Sequence, residues 1–415
     1  MRKTIYRALA LCCLTFLLAC NKGAKDKLVF VGMDGLDPLE MNQLIAAGYL
    51  PTFKKVIEAG LYTDLHVDRY PMFSPVLWTT IATGYGEEGH GVGNWLRDDG
   101  SIYQANDLGA ERFWEVADRK GRPTLQVGYL MTTPPSMENG ISVSQTFGIT
   151  ATAPSADAAT LVYPPDRFAE FAAMIADPIW VKDVPLIGPN LDAAGLSNFL
   201  SADEAHLRIF ESTWPTLKPE VTVLYFAGAD KLGHLMDERS EAGRDFVLQH
   251  RHGWTDEKRA LIVRQYYTYL DTVLARILVN IDPETTTLVL CSDHGWQLEG
   301  TAEWDTRHRN PGILIGWGKR AKAGAQPTSP PQQLDLGRTL WGLVNLPAAN
   351  DMPGRELSEL FDLPKHRPLA SRLVDRSNRA GSTPTNPMDE EAQRRQLQQL
   401  GYIDGNGQNV PDRRN

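Results

Sequence analysis

The 415-residue sequence is short of cysteine and of positive charge. Three of its four cysteines, Cys12, Cys13 and Cys20, fall within the first twenty residues, so beyond them only Cys291 remains and no intramolecular disulfide can form. Cys291 lies in a run rich in Val and Leu and is expected in the core. Lys and Arg number 42 against 51 Asp and Glu, a formal charge of −9. That balance argues against a nucleic-acid-binding surface and against electrostatic docking on anionic lipid, so phosphate chemistry would have to draw on local cations. There is no internal repeat. The leading apolar run, residues 8–18, is too short to span a bilayer comfortably.

Arg2, Lys3 and Arg7 precede that run, and Leu17-Leu-Ala-Cys20 closes it. The segment resembles a bacterial lipoprotein signal, which implies cleavage before Cys20, a diacylglyceryl group on its sulfur and acylation of the new amino terminus. An ordinary signal peptide or an uncleaved anchor is the plainer alternative, but the cysteine sits where the lipoprotein signal needs it. Asn21 after it favours the outer membrane of a Gram-negative envelope, facing the periplasm, with the lipid as the only membrane contact. Loss of the three basic residues takes the formal charge from −9 to −12. After residues 1–19 as signal, residues 20–27 read as a tether and 28–364 as one large catalytic core. A cap is expected to be inserted at about 134–215, where βα alternation weakens, and residues 365–415 read as a polar tail with a short helix.

Three apolar runs, residues 28–33, 221–226 and 287–291, each lead to an aspartate: Asp34, Asp230 and Asp293. Unbroken β-branched runs read as strands buried on both faces of a parallel sheet, and such sheets place their chemistry at the strands' carboxyl ends. His234 and His294 follow two of the aspartates closely. Carboxylates and imidazoles converging there are the ingredients of a metal site. Asp37-Pro38-Leu-Glu40 reads as the start of a helix that Gly48 stops. Further helices are expected at 51–60, 111–120, 258–280 and 334–344, and strands at 123–130 and 312–317. The architecture is therefore α/β, a doubly wound and mostly parallel sheet.

Ser74 precedes Pro75 and the apolar run 76–82 that Gly84 ends. Its hydroxyl falls at a helix N-terminus, which favours an alkoxide and an incoming anion; Ser before Pro is equally an ordinary N-cap. Locally the two readings are even. The wider pattern comprises Asp34-Gly35, Ser74-Pro75 with Thr79-Thr80 and Thr83-Gly84, His90-Gly91, Asp230-x-x-x-His234, Asp293-His294-Gly295 and His308-x-x-Pro311-Gly312. Together with the segment 351–357, it resembles the alkaline phosphatase superfamily, and within it the type I phosphodiesterase/nucleotide pyrophosphatase group.

The resemblance implies two divalent metal ions, zinc with manganese as the alternative, ~3.5–4 Å apart. One would be held by Asp34, Ser74, Asp293 and His294, and the other by Asp230, His234 and His308. Ser74 would be the nucleophile, forming a phosphoseryl intermediate, and Asn94 would donate to a phosphoryl oxygen, with a turn asparagine as its plain reading. His90 is expected to support the nucleophile loop. His66, His206, His250, His252 and His366 read as surface or satisfied histidines, Asp37 as a helix cap, and Asp237 and Asp305, near the ligands in sequence, as candidate acceptors for imidazole N–H groups to which the pattern does not commit. Pro75 stands where nucleotide-cleaving relatives often carry a base-stacking aromatic, and neither Trp78 nor Trp95 can be assumed to replace it.

The implied activity is phosphoric ester hydrolysis by a phosphodiesterase-type enzyme on a substrate the sequence does not identify. A phosphomonoesterase or phosphonate hydrolase of the same fold is the alternative. A sulfatase is disfavoured because Ser74-Pro-Val-Leu-Trp78 lacks the Cys/Ser-x-Pro-x-Arg maturation signal. A non-catalytic envelope binding lipoprotein is the alternative of another class, but all seven ligand positions carry competent residue types.

Overall fold

The computed structural model describes residues 26–69, 71–151, 156–176, 196–236, 256–296, 308–374, 387–399 and 402–409. The signal segment with Cys20, together with Asp237, His250, His252 and Asp305, lies outside the described residues. In chain order the strands are β1 (Lys27–Met33), β2 (Leu61–Leu65), β3 (Thr124–Val127), β4 (Ile141–Val143), β5 (Val162–Tyr163), β6 (Val221–Phe226), β7 (Thr286–Cys291), β8 (Gly295–Trp296), β9 (His308–Arg309) and β10 (Gly312–Gly318). Eight of them form one sheet in the order β2-β10-β7-β1-β6-β3-β4-β5, and β8 pairs with β9 as a separate ribbon. From β7 to β4 every neighbour is parallel, whereas β10, β2 and β5 join antiparallel at the two edges.

The middle strands are covered on both faces, as their unbroken apolar runs require: every residue of β6 and β7 is buried, and so is β1 after Lys27. Phe30 and Gly32, two apart on β1, look to one side, where Phe30 meets Phe113 edge-on and Gly32 meets Trp78. Helix α1 (Pro38–Ala46) begins as expected, with Asp37 Oδ1 accepting from Glu40 N at 2.9 Å. Helix α2 (Ser74–Thr83) is buried throughout. Helix α3 (Leu196–Leu217) packs on β3 and β6 and leads through β6 into α4 (Gly228–Met236). Asp271 of α5 (Asp256–Val279) accepts from Thr52 N and Phe53 N, both at 2.9 Å, and so caps the helix Pro51–Ala59, whose own Leu50 cannot. Helix α6 (Gln333–Leu343) lies on α2.

Two segments depart from the sequence reading. Within the stretch expected as a cap, β4 and β5 extend the central sheet and α3 packs on it, because Ile141–Val143 finds a parallel partner in β3 that local pattern cannot reveal. At the carboxyl end, α7 (Pro387–Gln399) lies against the helix Phe147–Thr150, and Leu397, Tyr402 and Ile403 are buried core residues in what reads as a polar tail.

Gly32 is required by close approach: a Cβ there would stand 2.7 Å from two ring carbons of Trp78. The indole cannot retreat, since its other edges meet Tyr129 and Tyr225 at centroid distances of 5.6 and 5.2 Å. Gly32→Ala should therefore overpack the core and cost roughly 1–3 kcal/mol, read as a lowered urea midpoint at unchanged slope.

Candidate metal centre

The three central neighbours β7, β1 and β6 end side by side, with Gly32 in register with both Tyr225 and Cys291. Asp34 directly follows β1, and Asp293 and His294 follow β7. Asp230 enters at the first turn of α4, and His234, one turn on, lies on the same face. Asp203 from α3 fixes the start of α4 by accepting from Ala227 N at 3.1 Å and Gly228 N at 3.0 Å. Gly35 has φ +68°, and a Cβ would meet Asp230 Cα at 2.8 Å, so only glycine lets Asp34 and Asp230 come this close. His308 arrives on β9.

Six of the side chains the sequence nominates, Asp34, Asp230, His234, Asp293, His294 and His308, lie together. Asp230 Oδ1 lies 3.5 Å from His234 Nε2, 3.5 Å from His308 Nε2 and 3.7 Å from His294 Nε2. His294 Nε2 is 3.4 Å from Asp34 Oδ1 and 3.6 Å from Asp293 Oδ2. These separations are long for hydrogen bonds, but two ligands each about 2.0–2.1 Å from a tetrahedral ion stand about 3.3–3.4 Å apart. Both outer histidines have their orientation set from behind: His308 Nδ1 bonds Met72 O at 2.8 Å and His294 Nδ1 bonds Gly295 O at 2.9 Å, which turns each Nε2 toward the cluster.

Asp34 Oδ1, Asp230 Oδ1, Asp293 Oδ2, His294 Nε2 and Ser74 Oγ are all buried and make no hydrogen bond. Each such atom costs about 1–3 kcal/mol if left so, and a set of oxygens and imidazole nitrogens facing one another fits divalent cations. Burial, then the charge of Asp230, pushes Asp34 up to about 7 against the opposing bond from Tyr225. Burial and Asp34 likewise raise Asp293 well above the carboxylate range. At Asp230 burial is outweighed by His234, His308 and His294, which hold it low, while burial and His308 push His294 down to about 3. Cations would relieve this crowding of like charge.

Ser74 is the first residue of α2 and does not cap it: the N-cap is Phe73 and no side chain bonds there. One turn later Trp78 Nε1 donates to Asp34 Oδ2 at 3.1 Å, which ties α2 to the cluster. His90 bonds Thr80 of this helix at 3.1 Å, the supporting role expected of it. Asn94 Oδ1 accepts from Trp95 N at 2.7 Å, the geometry of a turn asparagine, and Asp37 remains a helix cap. Trp78 is core rather than a stacking platform, and Cys291 is buried, its thiol pushed up by burial.

Sequence reasoning missed four side chains here. Tyr225 OH donates to Asp34 Oδ2 and Tyr402 OH to Asp230 Oδ2. Tyr402 carried a signal, an aromatic followed by Ile403 in an otherwise polar segment; Tyr225 sits in an apolar run and carried none. His206 and Lys231 border a cavity of about 60 Å³ beside the cluster, lined also by Asp34, Asp230, Trp95 and Tyr402. His66 and His366 stay away from the site; His366 is exposed and bonds Asn345 at 3.1 Å.

A mostly parallel α/β sheet thus carries a cluster of carboxylates and imidazoles at its carboxyl edge. The family described as Type I phosphodiesterase / nucleotide pyrophosphatase matches residues 28–332, and the chain belongs to it. No curated protein sequence matches the chain. Among solved structures it is similar to a 2-O GAG sulfatase, at 13% identity and TM-score 0.53 over 80% of this chain and 73% of that one. A putative sulfatase from Bacteroides thetaiotaomicron gives 14% identity and TM-score 0.51 over 83% and 76%. Phosphonoacetate hydrolase from Sinorhizobium meliloti gives 17% identity and TM-score 0.42 over 66% of this chain and 56% of its own length.

His206 is buried, with Nδ1 on Tyr225 O at 3.0 Å and Nε2 unpartnered, and burial pushes it down to about 4. Unfolded, it takes its proton near pH 6.5; folded, only near 4. Stability should thus fall as pH drops from about 6.5 to 4, by up to about 1.4 kcal/mol per pH unit from this residue. Urea unfolding at pH 7, 6 and 5 should show a shallower decline in His206→Gln than in the unsubstituted protein.

Proposed function

We propose that the protein is a two-metal phosphodiesterase that works through a phosphoseryl intermediate. The observation that supports this reading is the cluster of buried, unpartnered atoms on Asp34, Asp230, Asp293 and His294, with Ser74 Oγ likewise buried and unpartnered, in a chain of this family. Asp34, Ser74, Asp293 and His294 would hold one ion, and Asp230, His234 and His308 the other. Bound zinc ions, with manganese as the alternative, would neutralise the attacking and departing oxygens and lower the pKa of a hydroxyl or water at neutral pH.

The chain's own groups supply the rest. Ser74 Oγ stands at the N-terminus of α2, where the helix dipole favours its deprotonated form and an incoming phosphoryl group. Its loss of a proton precedes attack on phosphorus; the bond to the ester's leaving oxygen breaks, and water later cleaves the Ser74 phosphoester. Asn94 Nδ2 is the candidate donor to a phosphoryl oxygen, its Oδ1 being held by Trp95 N. Similarity to sulfatases reaches the fold only, because the sequence at Ser74 lacks the signal that matures a sulfatase nucleophile. The signal-like residues 1–19 and Cys20 support an envelope enzyme held by lipid and facing the periplasm.

Substitution of Ser74 by Ala should lower kcat at least about a thousandfold, with about two metal ions per chain retained and stability changed by less than about 1 kcal/mol, since Oγ caps nothing. Elemental analysis and turnover on an aryl phosphodiester test this together; metal-free active enzyme, or an active folded variant, overturns the reading.

Diesters should be the better substrates. No Lys or Arg occurs from Pro71 to Gly93. Arg97 is committed to Asp107 at 2.5 Å and Arg167 to Glu170 at 2.8 Å. Lys231, the cation in the cavity wall, is surrounded by the charges of Asp203, Asp230 and Asp34. None of these three cations therefore offers surplus positive charge to the extra oxygen of a monoester dianion. A kcat/KM ratio favouring the diester over the monoester with the same leaving group is expected; a tenfold monoester preference, about 1.4 kcal/mol in the transition state, would reverse the conclusion.

A further inference from the structure

Beyond the family match, which ends at residue 332, one residue reaches the metal cluster from the far carboxyl end of the chain. Tyr402 is 5% exposed, and its hydroxyl donates to Asp230 Oδ2 across 172 residues of sequence. Its ring lies 4.5 Å from that of His234 at 67° and 4.9 Å from that of Trp95 at 42°, so it touches one ligand by hydrogen bond and a second by edge packing. The segment that carries it is fastened on both sides. Asn409 pairs with the backbone of Leu96 in both directions, at 3.2 and 2.9 Å, and Ile403 bridges to Asn409 to close a small loop. Leu397 of α7 is buried, and with Gln393 it walls the cavity beside the cluster.

The arrangement at Asp34 shows what such a bond accomplishes. There Trp78 and Tyr225 both donate to Oδ2 and leave Oδ1 facing His294. At Asp230, Oδ2 is taken by Tyr402 and Oδ1 faces three imidazole nitrogens. A carboxylate on a single-bond rotor can present either oxygen or both; a donor on one of them selects a one-oxygen ligand and its direction.

We propose that Tyr402 is a positioning residue that orients Asp230 for metal binding, and that the carboxyl-terminal segment is a working part of the catalytic centre. The inference rests on the functional reading above. It is tested on the full chain with Tyr402→Phe, which keeps the ring and removes only the hydroxyl, by titrating zinc against a competing chelator and measuring kcat and KM separately. Outer partners of this kind typically contribute about 10–100-fold in affinity, so one of the two zinc equivalents should bind about 10–100-fold more weakly. Activity lost at limiting zinc should return as zinc is raised, whereas a merely structural role would lower the melting temperature without zinc rescue. Two zinc equivalents bound as in the unsubstituted protein, at unchanged kcat, would overturn the inference. Should Tyr402→Phe fail to fold, Asn409→Ala, which releases the segment from Leu96, decides: weakened zinc binding supports the proposal and unchanged binding rejects it. Absence of zinc binding by the unsubstituted protein would instead remove the functional reading itself, which separates the two failures.

Discussion

Three carboxylates, Asp34, Asp230 and Asp293, are buried within a few ångströms of one another at the carboxyl ends of adjacent strands, and everything around them answers to that concentration of charge. No folded chain tolerates it without compensation, since a buried like-charge group is driven to take a proton or find a cation. Two of the three are pushed upward, and the third is held low by the imidazoles around it. The same constraint explains the glycines beside the cluster: Gly35 permits the approach of Asp230, and Gly32 admits the indole that binds Asp34.

The ligands' rear surfaces are as ordered as their front ones. Each histidine at the edge has a backbone carbonyl behind it, and two of the carboxylates have an aromatic N–H or O–H behind one oxygen. Aromatic donors suit the place because they bring a hydrogen bond on a rigid ring that also excludes water. Trp78 combines this with core packing, and so links α2, the central strand and Asp34 in one side chain.

Much of this could be read from sequence, for identifiable reasons. The strands leading to Asp34, Asp230 and Asp293 were visible because burial on both faces removes polar alternation, and the clustered aspartates were visible because they follow those strands at short intervals. Helix α1 announced itself through Asp37, Pro38 and Glu40. Other elements had no local signal: β2 carries an exposed Asp64 on an edge strand, β4 has three residues that become a strand only beside β3, and α3 contains Pro215 near its end. Tyr225 and His206 were not legible beside the cluster because only the fold brings their partners to them, and Tyr402 announced only that its segment packs, not what it packs on. Ser74 was ambiguous until its hydroxyl proved to cap nothing.

The contacts that define the centre join distant parts of the chain: 191 residues separate Tyr225 from Asp34, 172 separate Tyr402 from Asp230, and 258 separate Gly35 from Asp293. Closing such loops is slow and is repaid only when both ends are in place. No hairpin, helix pair or half-sheet of this molecule holds the centre by itself. Assembly of the cluster is therefore a late event of folding, and during synthesis at the ribosome it must wait until β7 and His308 have emerged to meet Asp34 and Asp230.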